Sequence, residues 1–297
     1  MSSPAAPPLV DICVCTFRRD SLRQTLASLD AQTGITADVR VLVADNDDHP
    51  SARLEVETGP FRWPRLYLHA PARNISVARN ALLEESTAEF VAWIDDDEIA
   101  DSHWLAELLD AIGDHDAAFG PVEADYPPQT PGWIREADLH STQAVVTRAG
   151  VVTGYTSNAL VRRQAIGAER FSEALGRSGG EDTEFFSRLH RMGRRFTTAS
   201  HAIVQEPTAP DRLSLKWLTQ RAYRAGQTHA RSYAVSGRKR AGLVSAAAKA
   251  AFCLAMSGAF AWHGVRRRKF WVRGALHRGV VASLIGARDL QLYSTSR

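Results

Sequence analysis

The chain has 297 residues, 44% of them hydrophobic, which is enough for one large domain with an appendage or for two modest domains. Three cysteines exclude a disulfide-stapled fold and favour a reducing cytosol, and we expect no secretory signal because no basic segment with a long apolar core begins the chain. The net charge of +3 hides an asymmetry: residues 212–297 contain 17 Lys/Arg and one acid, whereas the first 211 contain 19 and 32. Such a basic region indicates an anionic partner, with nucleic acid and anionic lipid as the two candidates.

The first elements predict a parallel α/β unit. Residues 9–17 form an apolar strand pattern, and Leu22, Leu26 and Leu29 follow at helical spacing after Asp20 or Ser21 as a possible N-cap. A second strand, 39–44, ends at Asp45. Strand, helix and strand within about 45 residues match one right-handed βαβ unit. Ligands of open parallel sheets bind outside the carboxyl ends of the strands, where Asp45 lies.

A third short strand, 66–68, precedes a helix pattern that runs to Leu83. Ser76 is the predicted N-cap of this helix, which places Arg79 and Asn80 in its first turns. A helix N-terminus beside an arginine favours a diphosphate group. A surface helix with an ordinary arginine remains the alternative.

The strongest local pattern is Phe90-Val-Ala-Trp-Ile, a buried strand that runs directly into Asp95, Asp96, Asp97 and Glu98. Alternate residues of an extended chain point to one side, so Asp95 and Asp97 can share a cation while Asp96 points away. Oxygen ligands at few positions suit Mg²⁺ or Mn²⁺. An acidic, solvated turn is the competing interpretation.

Within the first 211 residues, which are acidic overall, a loop leads into a strand near Asn158. Further on, Gly179-Gly180-Glu181-Asp182 precedes an amphipathic helix pattern over 183–192. Asp182 can serve only as an N-cap, or it can take a proton during catalysis. A last strand pattern covers 199–207.

The basic part contains Trp217 and Arg221 and then an apolar stretch, 241–262, between the basic clusters 238–240 and 266–269. Its length approaches the roughly 20 residues that span a bilayer, but it is rich in Ala and contains Lys249. A helix lying in, or dipping into, an anionic leaflet fits this pattern. A soluble helical hairpin packed on the catalytic domain is the alternative.

Taken in order, Cys15-Thr16-Phe17-Arg18-Arg19, Asp45, Asn74-x-Ser76-x-x-Arg79-Asn80 and Asp95-Asp96-Asp97 resemble inverting family 2 glycosyltransferases with a GT-A fold, in particular those of bacterial exopolysaccharide assembly of the succinoglycan type. The resemblance implies a nucleotide-sugar site, a divalent ion, Mn²⁺ or Mg²⁺, and a general base. The residues it assigns to the nucleotide-sugar are Thr16, Phe17, Arg18, Asp45, Asn74, Arg79, Asp95 and Asp96. It assigns Asp97 and Asp95 to the metal, Asp182 to the base, and Asn158, Glu181, Trp217 and Arg221 to the acceptor side. His201 or Glu206 is the candidate for a further metal ligand.

We therefore expect an α/β GT-A domain over residues 1–211, with a nucleotide-sugar half to about 125 and an acceptor half after it. Residues 212–297 are expected to form a basic helical region that associates with an anionic membrane surface. The implied enzyme moves a sugar, as in a UDP-hexose, to a polyprenyl-diphosphate-linked glycan at the inner face of the cell membrane. The departure of Trp217-x-x-x-Arg221 from the family's Gln-x-x-Arg-Trp element favours transfer of a single sugar over polymerisation.

Two other functions stay open at this stage. A nucleotidyltransferase also combines an α/β sheet with an Asp-bound metal, although Thr16-Phe-Arg-Arg is not the Gly-rich phosphate loop it would need. A nucleic-acid-binding protein would explain the basic region. It would not explain the apolar stretch inside that region or the acids that end the strands, so no nucleic-acid partner is expected.

Overall fold

The computed structural model describes residues 6–235, 237, 239–288 and 290. The chain forms two compact units. The first comprises Met1–Glu123, Thr142–Arg177 and Glu181–Glu206, and the second comprises Ala124–Ser141, Ser178–Gly180 and Pro207–Arg297. Each unit has its own apolar core.

A seven-stranded mixed sheet is the centre of the first unit. Its strands are β1 (Leu9–Thr16), β2 (Asp38–Asp45), β3 (Arg65–His69), β4 (Phe90–Asp95), β6 (Ala117–Phe119), β10 (Asn158–Arg162) and β11 (Phe196–Thr198). They lie in the order β11-β6-β10-β4-β1-β2-β3. Strands β4, β1, β2 and β3 run parallel, whereas β10 runs antiparallel to both β4 and β6. The predicted parallel βαβ start of the chain is confirmed.

Helices cover both faces of this sheet, because the central strands are buried on both sides. On one face α1 (Leu22–Asp30) and α4 (Trp104–Ile112) pack in an apolar cluster, and on the other α3 (Ile75–Glu85) and α7 (Glu181–Arg191) pack in a second. Eight further short elements lie between residues 53 and 207. They are α2 (Arg53–Glu57), β5 (Ile99–Ala100), β7 (Val122–Asp125), α5 (Gly132–Ala137), β8 (Val145–Thr147), β9 (Gly150–Thr153), α6 (Arg163–Ile166) and β12 (Val204–Pro207).

Strand register decides which residues meet at the carboxyl edge of the sheet. Thr16 at the end of β1 is level with Asp45 at the end of β2. Cys15, one residue earlier, is level with Asp95 at the end of β4. Polar side chains from three neighbouring strands therefore meet at one edge, where open α/β sheets bind ligands.

Three long helices dominate the second unit: α8 (Leu215–Val235), α9 (Lys239–Ala259) and α10 (Gly264–Leu284). Helix α10 packs along both α8 and α9. At its crossing with α8 two glycines let the backbones touch, since a Cβ on Gly226 would lie 1.9 Å from Leu276 O and one on Gly279 would lie 1.9 Å from Tyr223 O. Of the described helices, α9 alone is long and apolar enough to cross a membrane by length and composition.

The structure corrects several local predictions. The side chain of Asn74, not that of Ser76, caps α3, accepting from Ser76 N at 3.1 Å. The pattern over 199–207 is a strand only from Val204, because Ala199 and Ala202 are buried in a turn. Arg238 of the first basic cluster lies outside the described residues.

Candidate active site

Four consecutive acids follow β4, and the structure gives them different surroundings. Asp96 is buried and accepts a hydrogen bond from Thr16 Oγ1 at 2.7 Å, whereas the side chains of Asp95 and Asp97 are 38% and 24% exposed. Glu98 turns back into the protein and accepts from Asp95 N at 2.8 Å. Asp96 and Asp97 lie in a turn rather than in the expected strand continuation. Asp96 nevertheless differs from its two neighbours in being buried.

Crowded carboxylates with little solvent are costly to ionise. Burial raises the pKa of Asp95 to about 7, while Arg79 lowers it and the Asp97 and Asp96 charges raise it. Burial also raises the pKa of Asp96 to about 6, which the hydrogen bond from Thr16 partly offsets. The pKa of Glu98 is raised well above its usual value by burial. This strand end therefore concentrates negative charge in a place that favours a cation.

Asp95 and Asp97 fit a divalent ion. Among the described residues each has a single, long ion contact, Asp95 with Arg79 at 3.6 Å and Asp97 with Arg19 at 3.5 Å, and both carboxylates are partly exposed. No group of three or more His, Cys, Asp or Glu side chains in the described part of the chain could hold a metal ion, so neither His201 nor Glu206 completes one there. Two carboxylates leave the remaining positions to water and substrate phosphates, as is usual for Mg²⁺.

Arg79 links the strand-end acids to the second half of the site. It is 4% exposed on α3, and its guanidinium forms an ion pair with Glu181 at the start of α7 as well as the contact with Asp95. Burial raises the pKa of the Cys15 thiol, and the charge of Arg79 offsets part of that rise. One buried arginine is thus shared by carboxylates from β4 and α7, which brings Asp95 and Glu181 to the same cation.

Asp182 follows Glu181 inside the first turn of α7, so it is not the N-cap that one interpretation assumed. Its Oδ1 accepts from Thr183 N at 2.6 Å and from Thr183 Oγ1 at 3.3 Å. Its Oδ2 has no hydrogen bond with any residue that the structure describes. Burial raises the pKa of Asp182 to about 6 and the Glu181 charge adds to the rise, while Arg79 lowers it. The positive end of the α7 dipole favours the ionised form, but desolvation outweighs it.

The end of β2 is organised around Asp45, which is fully buried. Its carboxylate accepts from Tyr67 Oη at 2.9 Å, from Ala52 N at 2.9 Å and from Asp47 N at 3.1 Å. Arg18, with φ 53°, donates two hydrogen bonds to Asp47 at 2.7 and 2.8 Å. In this state Asp45 shapes the loop that follows β2.

Sequence reasoning assigned no role to three residues of this edge: Arg19 beside Asp97, Asp47 beside Arg18, and Tyr67. The sequence did contain a signal for Arg19 and Asp47. Two arginines directly follow the first strand, and three acids, Asp45, Asp47 and Asp48, stand at the end of the second. Tyr67 gave no such signal, because it belongs to a short strand whose pairing partner is unknown from sequence.

Other predicted residues are held by the protein. Asn74 Nδ2 donates to Glu173 O at 2.9 Å, and the Asn158 amide donates to Pro121 O and Ala202 O at 2.9 and 2.7 Å, so both side chains serve the fold. Phe17 is partly exposed, and the Arg18 guanidinium lies 5.3 Å from its ring centroid. Trp217 and Arg221 belong to the second unit, where the guanidinium lies 5.6 Å from the indole centroid.

We expect Arg79→Ala to lower the free energy of unfolding by roughly 3–5 kcal/mol, because it leaves buried carboxylates without their cation. Denaturant unfolding measures this change. The control is Arg195→Ala, which breaks an exposed pair with Asp114 and is expected to cost at most about 1 kcal/mol. Adding Glu181→Gln to Arg79→Ala should restore part of the loss. A loss for Arg79→Ala no larger than the control's would contradict the buried-pair assignment.

Comparison with known proteins agrees with this geometry. The model of the family described as Glycosyl transferase family 2 matches residues 11–168. The chain is 42% identical over 294 residues to the Succinoglycan biosynthesis protein ExoM of Rhizobium meliloti (strain 1021), covering 96% of this chain and 95% of that protein.

Solved structures show the same fold at low sequence identity. One is the mannosyltransferase PcManGT from Pyrobaculum calidifontis in complex with GDP-Man and Mn²⁺, with a TM-score of 0.62, 21% identity and coverage of 95% of this chain and 88% of that one. Another is S. aureus TarS 1–349, with a TM-score of 0.54, 15% identity and coverage of 93% and 90%. The sheet with helices on both faces and a helical C-terminal part is therefore a GT-A fold.

Proposed function

The chain belongs to glycosyl transferase family 2, and from this membership we propose that it is an inverting, metal-dependent enzyme that moves a sugar from a nucleotide-sugar to an acceptor hydroxyl. The observation that supports this most is the shared Arg79, which brings the partly exposed Asp95 of the strand edge and the Glu181-Asp182 pair into one small region. A donor diphosphate and an attacking hydroxyl need such neighbouring sites.

We assign the donor side to the carboxyl edge of the sheet. Asp95 and Asp97 would hold Mn²⁺ or Mg²⁺, which when bound neutralises the charge that grows on the leaving diphosphate. The loop after β2, fixed by Asp45, and the first turn of α3 lie at the same edge and would receive the nucleotide. A UDP-hexose is the first candidate donor.

We assign the general base to Asp182. Thr183 fixes its Oδ1, which leaves Oδ2 to accept the proton of the acceptor hydroxyl as that oxygen attacks the anomeric carbon. With a pKa of about 6 the group is mostly ionised at neutral pH. Attack on the face opposite the leaving diphosphate inverts the anomeric centre. Glu181 stays paired with Arg79 and positions the start of α7.

The acceptor we propose is a growing oligosaccharide on a polyprenyl diphosphate, at the inner face of the cell membrane. Similarity to the succinoglycan biosynthesis protein favours a role in exopolysaccharide assembly. The basic charge of residues 212–297 and the apolar α9 support a membrane-bound acceptor.

The deciding experiment offers UDP-, GDP- and dTDP-sugars with and without Mn²⁺ and measures thermal stabilisation and release of nucleoside diphosphate. We expect one donor class to stabilise the protein only with metal and to be hydrolysed slowly. Release of pyrophosphate instead would indicate a nucleotidyltransferase. No stabilisation by any nucleotide-sugar would refute the proposal.

A further inference from the structure

Helix α9 has an outer face that is largely exposed, with the Phe252 ring at its edge 6.3 Å from the ring of Phe270 on α10. Its buried positions are Gly242, Ala246, Cys253 and Ser257, which all lie on one side of the helix. Val244 lies opposite them and is 70% exposed, and Phe252 and Leu254 lie at the two edges of the outer face and are 59% and 57% exposed. Three exposed alanines, Ala248, Ala251 and Ala255, lie between them. Exposed apolar area of this extent marks an interaction surface.

The middle of this outer face contains no charge. Lys249 is the one Lys, Arg, Asp or Glu between residues 241 and 265. Helical spacing places it on the flank of α9 close to the buried side. There its charge lowers the pKa of His277 on α10, which burial lowers more. A long side chain in that position can extend along the flank to water while the outer face enters an apolar phase.

The pairing of α9 with α10 is antiparallel along both helices. Ser257 Oγ donates to Arg267 O at 3.2 Å near the turn, and a Cβ on Gly274 would lie 3.2 Å from Cys253 Cβ halfway along. Ala246 and Val280 share the apolar cluster at the far end. Any bilayer depth that α9 reaches is therefore also reached by α10.

Helix α10 cannot cross a bilayer, because six basic side chains are spread over the first 15 of its 21 residues. They are Arg266, Arg267, Arg268, Lys269, Arg273 and Arg278. Charged side chains at the centre of the hydrocarbon are strongly unfavourable. Although α9 alone has the length and hydropathy of a spanning helix, its partner prevents the pair from spanning. A flat orientation buries the outer face of α9 and keeps the charges of α10 at the headgroups.

The turn of the hairpin carries the side chains that favour a membrane interface. Trp262 is 82% exposed, and Arg266, Arg267 and Lys269 are exposed directly after it. Between residues 213 and 288 the sequence contains no acid at all. Tryptophan is enriched at headgroup level, and basic side chains bind anionic lipids.

We propose that α9 and α10 form an in-plane anchor that lies on an anionic leaflet with the outer face of α9 in the acyl boundary and without crossing the bilayer. This extends the membrane attachment of the proposed function, on which it rests, by giving its mode and its contact residues. Charge complementarity and the aromatic turn argue for lipid as the occupant of this face.

Binding is tested with full-length protein and sedimented vesicles of phosphatidylcholine with or without phosphatidylglycerol. We expect binding to the anionic vesicles, and at least about a tenfold weaker partition for Val244→Glu, Phe252→Glu and Leu254→Glu combined. The matched control is Leu54→Glu with Val146→Glu, which alters residues 74% and 63% exposed in the first unit and should change partition less than about twofold. Equal partition of the two variants would overturn the proposal.

Orientation is tested by labelling vesicle-bound protein from outside with a membrane-impermeant maleimide. Lys239→Cys lies at the start of α9 and Arg267→Cys near the turn, so a flat hairpin exposes both cysteines to the reagent. A spanning hairpin would place one of them inside the vesicle and protect it. Protection of either cysteine that detergent abolishes would refute the in-plane orientation.

Two further measurements separate this proposal from others. The triple glutamate variant should release nucleoside diphosphate from the donor at the same rate as the parent protein. If the parent protein releases none, the proposed function is refuted, whereas the result of the vesicle-binding experiment remains valid. A parent that is dimeric in light scattering, does not bind vesicles, and becomes monomeric in the triple variant would assign the face to a second copy of the chain instead.

Discussion

Replacing Asp182 with asparagine is expected to lower kcat by roughly 10²-fold or more while the affinity for donor and metal is kept. Asparagine retains an Oδ1 that can accept from Thr183 N, so the first turn of α7 keeps its contact. What is lost is basicity at Oδ2. Transfer to a soluble acceptor, measured beside donor binding by calorimetry, separates these effects. The variant Glu184→Gln, in the same helix turn, is the control and should retain most activity.

The parent enzyme should also show an acid limb in kcat near pH 6. Burial raises the pKa of Asp182, so the proton-accepting form predominates above about pH 6 and is lost as the pH falls. At saturating metal, the fall of kcat below pH 6 should fit the binding of a single proton. The residual kcat of Asp182→Asn should show no such fall. Full turnover by that variant would remove Asp182 from the mechanism.

The second large effect is expected from Asp97→Ala, which should reduce transfer to below about 1% of the parent rate with the fold intact. Asp97 is partly exposed on a turn and contributes little to packing, so thermal unfolding should stay close to that of the parent. Titration with Mn²⁺ in the presence of nucleoside diphosphate should show weakened metal binding.

Asp101→Ala is the matched control for Asp97→Ala. Asp101 is an exposed carboxylate four residues further on, and its loss should leave activity and metal titration unchanged. If Asp97→Ala kept parent activity at saturating donor with no added metal, the assignment of the ion to this strand end would fail.

Much of the fold could be predicted because its signals are local. The strand over 90–95 and the helix containing Leu22, Leu26 and Leu29 depend on burial patterns that the sequence displays directly. The sequence did not show that only Val204–Pro207 of the pattern over 199–207 forms a strand. Its buried alanines look like strand residues until the packing of the turn is known, so tertiary contacts decided the outcome.

The sequence predicted which residues of the candidate site lie near one another. It did not predict the partners that these side chains bind. Arg79 was expected to face a diphosphate, whereas its closest partner is Glu181, 102 positions later. Asp45 and Asn158 were expected to face ligands, and both are buried among hydrogen-bond partners within the protein. Such partners come from distant parts of the chain, and no local pattern specifies them.

The second unit is assembled from three separate segments, Ala124–Ser141, Ser178–Gly180 and Pro207–Arg297. A single crossover between two related genes cannot exchange this unit alone, since a cut before Ala124 also carries Thr142–Arg177 and Glu181–Glu206 of the first unit, and a later cut divides the second unit. Chimaeras made to exchange acceptor or membrane preference should therefore fold only when all three segments come from one source. Within a lineage these segments are expected to change together, with the glycine crossing of Gly226 and Gly279 inherited as a pair.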